Sequence, residues 1–105
     1  RHPAVCINHG FFGIKQKNYD RVLFWYNEFL KIDKLEDIDI FSVITFLDDE
    51  YNKDNSEPAF LFGLAIVNGF LDPQKGKRDL HNFIKLTKNH EDYKLLVRRA
   101  KELLK

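Results

Sequence analysis

The most restrictive feature of this sequence is residues 58–70, which are apolar on almost every side. A helix without a polar face has to be enclosed by other elements, so this segment predicts the central buried helix of one core. Asp72 and Pro73 follow it and indicate where it ends. The run is far shorter than the roughly 20 apolar residues that cross a bilayer, so it does not predict a membrane span.

The remaining segments show helical spacing of their apolar residues. In residues 19–32 large apolar side chains recur every three or four positions, from Val22 to Leu30, which is typical of one face of an amphipathic helix. The same reasoning predicts helices over residues 4–14, 35–50 and 75–88, and a last helix that begins at Asn89 or His90. Residues 35–50 are also β-branched and partly alternating, so a strand is the alternative there.

Few turn residues are present: the chain has 5 Gly and 3 Pro, which is too few for a sandwich of many strands. We therefore predict an all-α fold, an antiparallel array of about six helices. We expect Trp25 and Phe29 to lie in its core. We expect Asp20 to cap the second helix or to lie in its first turn, and Ser56 or Asn55 to cap the central helix after a polar loop at residues 51–57.

Two stretches share a helix–turn–helix rhythm. Residues 4–33 contain Gly10 followed by aromatics, and then the segment NYDRVLFWYNEFLKID with Tyr26 in its middle. Residues 59–86 contain Phe62-Gly63-Leu64 and Asn68-Gly69-Phe70. Both resemble repeats of the tetratricopeptide superfamily, and the second resembles its Sel-one-like variant. The resemblance implies a right-handed stack of helix pairs that binds partners along a concave face.

The resemblance covers only part of the chain. The small alanines that the family places on its second helices are replaced here by Val22, Phe29 and Leu80, and the proline after the first pair is replaced by Lys34. Residues 35–50 fit neither half of a repeat. A small aromatic helical bundle is the alternative architecture.

Length and composition indicate one domain over residues 1–105. A single Cys excludes an internal disulfide framework, and a net charge of +1 gives no overall attraction to nucleic acid or to an anionic membrane. We expect a cytoplasmic protein that acts at neither a membrane nor a nucleic acid. The chain begins Arg1-His2-Pro3 without an initiator methionine, so a fragment of a longer chain is left open.

The residues that could carry chemistry do not form a known motif. Cys6 and His9 have Cys-x-x-His spacing, but a closed zinc site needs about four ligands, and a small buried cysteine is the simpler interpretation. Asp48-Asp49-Glu50 and Asp54 lack the spacing and central glycine of a calcium loop. We therefore expect no metal, no cofactor and no enzymatic activity.

Charge is divided unevenly along the chain. Residues 33–57 carry nine acidic residues against two lysines, a net charge of −7, whereas residues 71–105 carry +5. One interpretation is a solvated face that pairs with the basic half of the same molecule. The other is a surface for a basic partner, and the residues predicted to form it are Glu36, Asp37, Asp39, Asp48, Asp49, Glu50 and Asp54.

Two functional hypotheses follow from this surface. The first is a non-catalytic protein–protein interaction domain. The alternative is a bacterial immunity or antitoxin-type inhibitor, whose acidic patch would block the basic cleft of a nuclease toxin.

Overall fold

The protein is all-α. The computed structural model describes residues 2–105, apart from the side chains of Asp37 and Ile38. This part of the chain contains no strand and forms six α-helices with one 3₁₀ turn (Glu91–Tyr93) before the last of them. The helices are α1 (Pro3–Lys15), α2 (Tyr19–Leu30), α3 (Asp37–Lys53), α4 (Ala59–Leu71), α5 (Pro73–Thr87) and α6 (Lys94–Leu103). The predicted fold class is confirmed, and the strand alternative for residues 35–50 is wrong.

The central position predicted for the apolar helix is also confirmed. α4 packs against all five other helices, with α1–α2 and α4–α5 forming two antiparallel hairpins. Most α4 side chains are buried, including Phe60, Phe62 and Val67 at 1% exposure or less. Phe29 lies in the core at 1% exposure. Trp25 was expected there too, but it is only partly buried and stacks on His9, with 4.3 Å between ring centroids.

Side-chain caps start three of the helices. His2 accepts a hydrogen bond from the Ala4 N–H, and Asn18 accepts one from the Arg21 N–H. Asp20 therefore lies in the first turn of α2 and does not cap it. Asp72 accepts from two backbone N–H groups of α5, immediately before Pro73. A cap of this kind stabilises a helix by about 1 kcal/mol, so these residues fix where the helices begin.

The turn between α1 and α2 is tight. Lys17 has φ 55°, and the Asn18 N–H donates to the Gly13 carbonyl at 2.8 Å. Many helices end with this hydrogen bond and with a glycine in the left-handed conformation. In α1 a lysine, Lys17, takes the position of that glycine. It turns the chain directly into the second helix of the hairpin.

A buried tyrosine joins α2 to two other helices. Tyr26 is 1% exposed and lies between Gly10 of α1 and Gly63 of α4. A Cβ atom placed on Gly10 would be 3.0 Å from the tyrosine ring, and one on Gly63 would be 2.7 Å from its Cζ atom. Only glycine leaves room for this ring at both positions, and burial raises the pKa of Tyr26.

The N-terminus of α4 differs from the sequence-based expectation. α3 continues to Lys53, so the predicted loop is shorter, and neither Ser56 nor Asn55 caps α4. Glu57 instead accepts a hydrogen bond from the Ala59 N–H at 3.2 Å. Ser56 donates its hydroxyl to Asp54 at 2.6 Å, which leaves it outside the helix start.

Candidate functional site

The surface side of α3 is polar except for one aromatic. Ile40, Val43 and Leu47 face the core and are at most 8% exposed. The exposed positions recur every three or four residues on the opposite side, and we call them the α3 outer face: Phe41, Ser42, Thr45, Asp48, Asp49, Asn52 and Lys53. Phe41 is 58% exposed, the largest value among the exposed large apolar side chains of the described chain.

The predicted acidic residues do not form one patch. α3 has 17 residues and is therefore about 25 Å long, so Glu36 and Asp54 lie at its opposite ends. The side chain of Asp37 lies outside the described residues, and Asp39 is only partly exposed in the first turn. Asp48 and Asp49 lie together on the outer face, and neither forms an ion pair with any other described residue.

Two of the predicted acidic residues interact with side chains close to them in sequence. Glu50 is partly buried and pairs with Lys53 at 3.5 Å. Asp54 accepts the Ser56 hydroxyl, and this hydrogen bond is the main reason why its pKa lies below the ordinary value. The helix predicted over residues 35–50 would place Asp48-Asp49-Glu50 in its last turn, where the helix dipole disfavours acidic side chains. For Asp48 and Asp49 this placement is wrong, because α3 continues to Lys53 and the dipole acts mainly within the last turn, which contains only Glu50 of the three.

The acidic and basic halves are kept apart by the fold. α3 packs mainly on α4 and α1, whereas α6 packs on α2 and α5. Among the described ion pairs, none joins an acid of residues 33–57 to a base of residues 71–105. Arg99 instead donates to the Asn27 side chain at 2.9 Å. The α3 outer face is thus not neutralised by the basic half of the same molecule.

A buried carboxylate cluster lies at the start of α4, and the sequence analysis did not predict it. Glu57 is 3% exposed. Its Oε1 accepts from the Tyr19 hydroxyl at 2.7 Å and from the Lys17 ammonium at 3.2 Å. Its Oε2 accepts from the Tyr93 hydroxyl at 2.6 Å and from the Ala59 N–H. One side chain therefore connects α4 to the start of α2 and to the 3₁₀ turn before α6.

The protonation states of the cluster follow from its geometry. Burial alone would raise the pKa of Glu57, but the hydrogen bonds from Tyr93, Tyr19, the Ala59 N–H and Lys17 together outweigh burial and hold that pKa below its ordinary value. Burial is the main reason why the pKa of Tyr93 rises to about 12, and it also raises the pKa of Tyr19. Near neutral pH the tyrosines are thus protonated donors and Glu57 is an ionised acceptor. The four donors occupy both carboxylate oxygens, so the cluster links the starts of α2 and α4 to the 3₁₀ turn before α6.

The cysteine and histidine considered as metal ligands have other surroundings. Cys6 is 1% exposed in α1, as the simpler interpretation predicted. His9 stacks on Trp25, and its Nδ1 lies 3.1 Å from the Arg21 guanidinium. Within residues 2–105, outside the masked side chains, no three His, Cys, Asp or Glu residues are placed to hold one metal ion. In the same part of the chain no helix has the length and apolar character of a membrane span.

Comparison with protein-family models, with curated proteins and with solved structures gave no match. The resemblance to tetratricopeptide repeats therefore stays a prediction. The function has to be argued from the residues of this chain.

Proposed function

We propose that this domain is a non-catalytic protein-interaction module whose α3 outer face binds a basic partner protein. The observation that carries the proposal is the position of Phe41, which is 58% exposed on the same helix face as Asp48 and Asp49. Aromatic side chains commonly supply the central contacts of protein interfaces, while charges around them select the partner.

The electrostatics support a basic partner. Residues 33–57 carry a net charge of −7, although the whole chain carries +1. The acids of the outer face are not paired within the described part of the molecule, so their field is directed at solvent. Such a field accelerates association with a positively charged surface and weakens as salt is added.

The test reverses the charge of the α3 outer face and leaves the core residues unchanged. The double variant Asp48→Lys with Asp49→Lys reverses the outer face, and both positions are exposed, so we expect the free energy of unfolding to change by less than about 0.5 kcal/mol per site. A control with the same change of net charge is Asp92→Lys with Glu102→Lys, at exposed positions away from α3. A third variant, Phe41→Ser, tests the aromatic contact.

Tagged forms of all four proteins are used to capture binding proteins from a lysate of the source organism. We expect a protein that is retained by the wild type and by the control but is lost with the α3 variant and with Phe41→Ser. Its association rate with the wild type should fall steeply between low and high salt. If every variant retains the same proteins as the wild type, the α3 outer face is not the binding surface.

A narrower form of this proposal is an inhibitor of a nuclease toxin, in which the acidic face covers a basic substrate cleft. The unpaired Asp48 and Asp49 of the outer face support it, because a nuclease cleft has to attract phosphate groups and is therefore basic. The two forms differ in what the captured partner does. A nuclease whose activity is blocked by the wild type and restored with the Asp48→Lys, Asp49→Lys variant would favour the inhibitor.

A further inference from the structure

A basic depression lies between the end of α5 and the outer side of α6. It has a volume of about 500 Å³ and is lined by Thr87, Lys88, Asn89, His90, Glu91, Lys94, Val97, Arg98 and Lys101. Four of these residues are cationic and one is acidic, which gives a net charge of +3 with His90 neutral. We call this depression the α5–α6 basin.

The cations of the basin are not neutralised by the protein. Lys88, Lys94, Arg98 and Lys101 take part in none of the ion pairs among the described residues. On α6 the spacing from Lys94 to Arg98 is four residues and from Arg98 to Lys101 three, so like charges are neighbours on one helix face. Such pairs destabilise a helix unless an anion lies between them.

We propose that the α5–α6 basin binds a ligand that carries two or three neighbouring phosphate groups. The basin faces solvent on a different part of the molecule from α3, and the proposal does not depend on the protein-binding function. A phosphate can carry up to two negative charges, whereas an acidic peptide presents one carboxylate per residue. A compact oligophosphate therefore fits a net charge of +3 in this small volume better than a peptide does.

The lining also indicates which part of the ligand is recognised. The rise of an α-helix places Lys94 and Arg98 about 6 Å apart along the axis, and Arg98 and Lys101 about 4.5 Å apart. The long, flexible side chains can converge from these positions on neighbouring phosphate groups. The guanidinium of Arg98 offers paired donors to phosphate oxygens, while the lysines act as point charges. His90 is the single ring in the lining, so the basin offers little surface for stacking nucleobases.

Two residues of the lining, Thr87 and Glu91, do not contribute to phosphate binding. The Thr87 hydroxyl already donates to the Phe83 carbonyl at 2.7 Å, so it is not a donor for the ligand. Glu91 is exposed and would repel phosphate. Replacing Glu91 with Gln should therefore tighten binding, whereas replacing a lining cation should weaken it.

The experiment measures binding of inorganic triphosphate and of a short single-stranded RNA by calorimetry at 20 and 150 mM salt. The site variant is Arg98→Gln with Lys101→Gln. The matched control is Lys85→Gln with Lys105→Gln, which removes the same charge at exposed positions outside the basin. An acidic peptide of equal charge serves as a comparison ligand, and far-UV circular dichroism checks that each variant is folded.

We expect saturable binding of triphosphate to one site, weakened roughly tenfold or more by the site variant because two charge-assisted contacts are lost. The control should change affinity less than about twofold, and Glu91→Gln should increase it. If RNA binds more tightly than triphosphate at both salt concentrations, the phosphates come from a nucleic acid strand. If triphosphate binds more tightly, they come from a small ligand.

Three results would overturn the proposal. One is the absence of saturable binding of either phosphate ligand at 20 mM salt. Another is an equal loss of affinity in the site variant and the control, which would mean that only net charge matters. The third is binding of the acidic peptide as tight as that of triphosphate.

Discussion

The buried carboxylate Glu57 gives the sharpest prediction about stability. Glu57→Gln keeps the size of the side chain but replaces one accepting oxygen with an amide that donates. The carboxylate now accepts from four groups, two on each oxygen. The new amide group would face either Lys17 with Tyr19 or Tyr93 with the Ala59 N–H. A hydroxyl can rotate to accept from it, but an ammonium or a backbone N–H cannot.

The expected loss of stability follows from the number of hydrogen bonds that Glu57 accepts. At least one donor loses its acceptor, and the remaining hydroxyl bonds lose the assistance of a full negative charge. Hydrogen bonds to charged groups are worth about 1.5–3 kcal/mol, so the free energy of unfolding should fall by roughly that amount. The ion pair with Lys17 adds little, because the Lys17 side chain is 72% exposed. For a chain of this length the melting temperature should fall by about 6–12 °C.

The pH dependence of the unfolding free energy distinguishes the effect of the Glu57 charge from the effect of its packing. The pKa of Glu57 is lower in the folded protein than its ordinary value of 4.5, so acidification protonates the unfolded chain first. The stabilisation by the ionised carboxylate is complete above the unfolded-state pKa and is lost as the pH falls through the folded-state pKa. The difference in unfolding free energy between the wild type and Glu57→Gln should therefore narrow between pH 6 and pH 3.

The measurement is urea unfolding of both proteins across this pH range, with Glu102→Gln as a control at an exposed acid. The control should differ from the wild type by less than about 0.5 kcal/mol at every pH. A Glu57→Gln protein as stable as the wild type at pH 7 would refute the reasoning. A large difference that stays constant down to pH 3 would show that packing, and not the charge, accounts for the loss.

The other predictions concern packing and are checked by thermal or urea unfolding. Gly76→Ala should destabilise by about 1–3 kcal/mol, because its Cβ would lie 2.7 Å from the Gly69 Cα across the α4–α5 crossing. Gly69→Ala should be neutral or stabilise by up to about 1 kcal/mol, since its Cβ meets only the Gly76 Cα at 4.0 Å; equal effects of the two changes would contradict the crossing geometry. Phe29→Ala should cost about 3–5 kcal/mol by opening a cavity beside Phe70, whose ring lies 5.5 Å from that of Phe29, and an unchanged melting temperature would mean that Phe29 is not in the core.

The sequence by itself determined the local structure of this protein. Helix positions follow from the spacing of apolar residues, which is a property of neighbouring residues. Pro73, interpreted from the sequence as the end of the central helix, also begins α5, two residues before the predicted start. The central place of α4 follows from its lack of a polar face. The limits of α3 were less certain, because Tyr51-Asn52-Lys53 has a loop-like composition and yet continues the helix to Lys53.

Only the tertiary structure decided how the polar groups are distributed. Glu57 meets Tyr19 and Tyr93 across 38 and 36 residues of sequence, and no periodicity relates such distant positions. Its one local signal was an acid just before Pro58 and an apolar helix. The same holds for the α3 outer face and the α5–α6 basin. The net charge of each segment can be counted from its residues, but the packing of α3 on α4 and α1, away from α6, keeps those charges from neutralising each other.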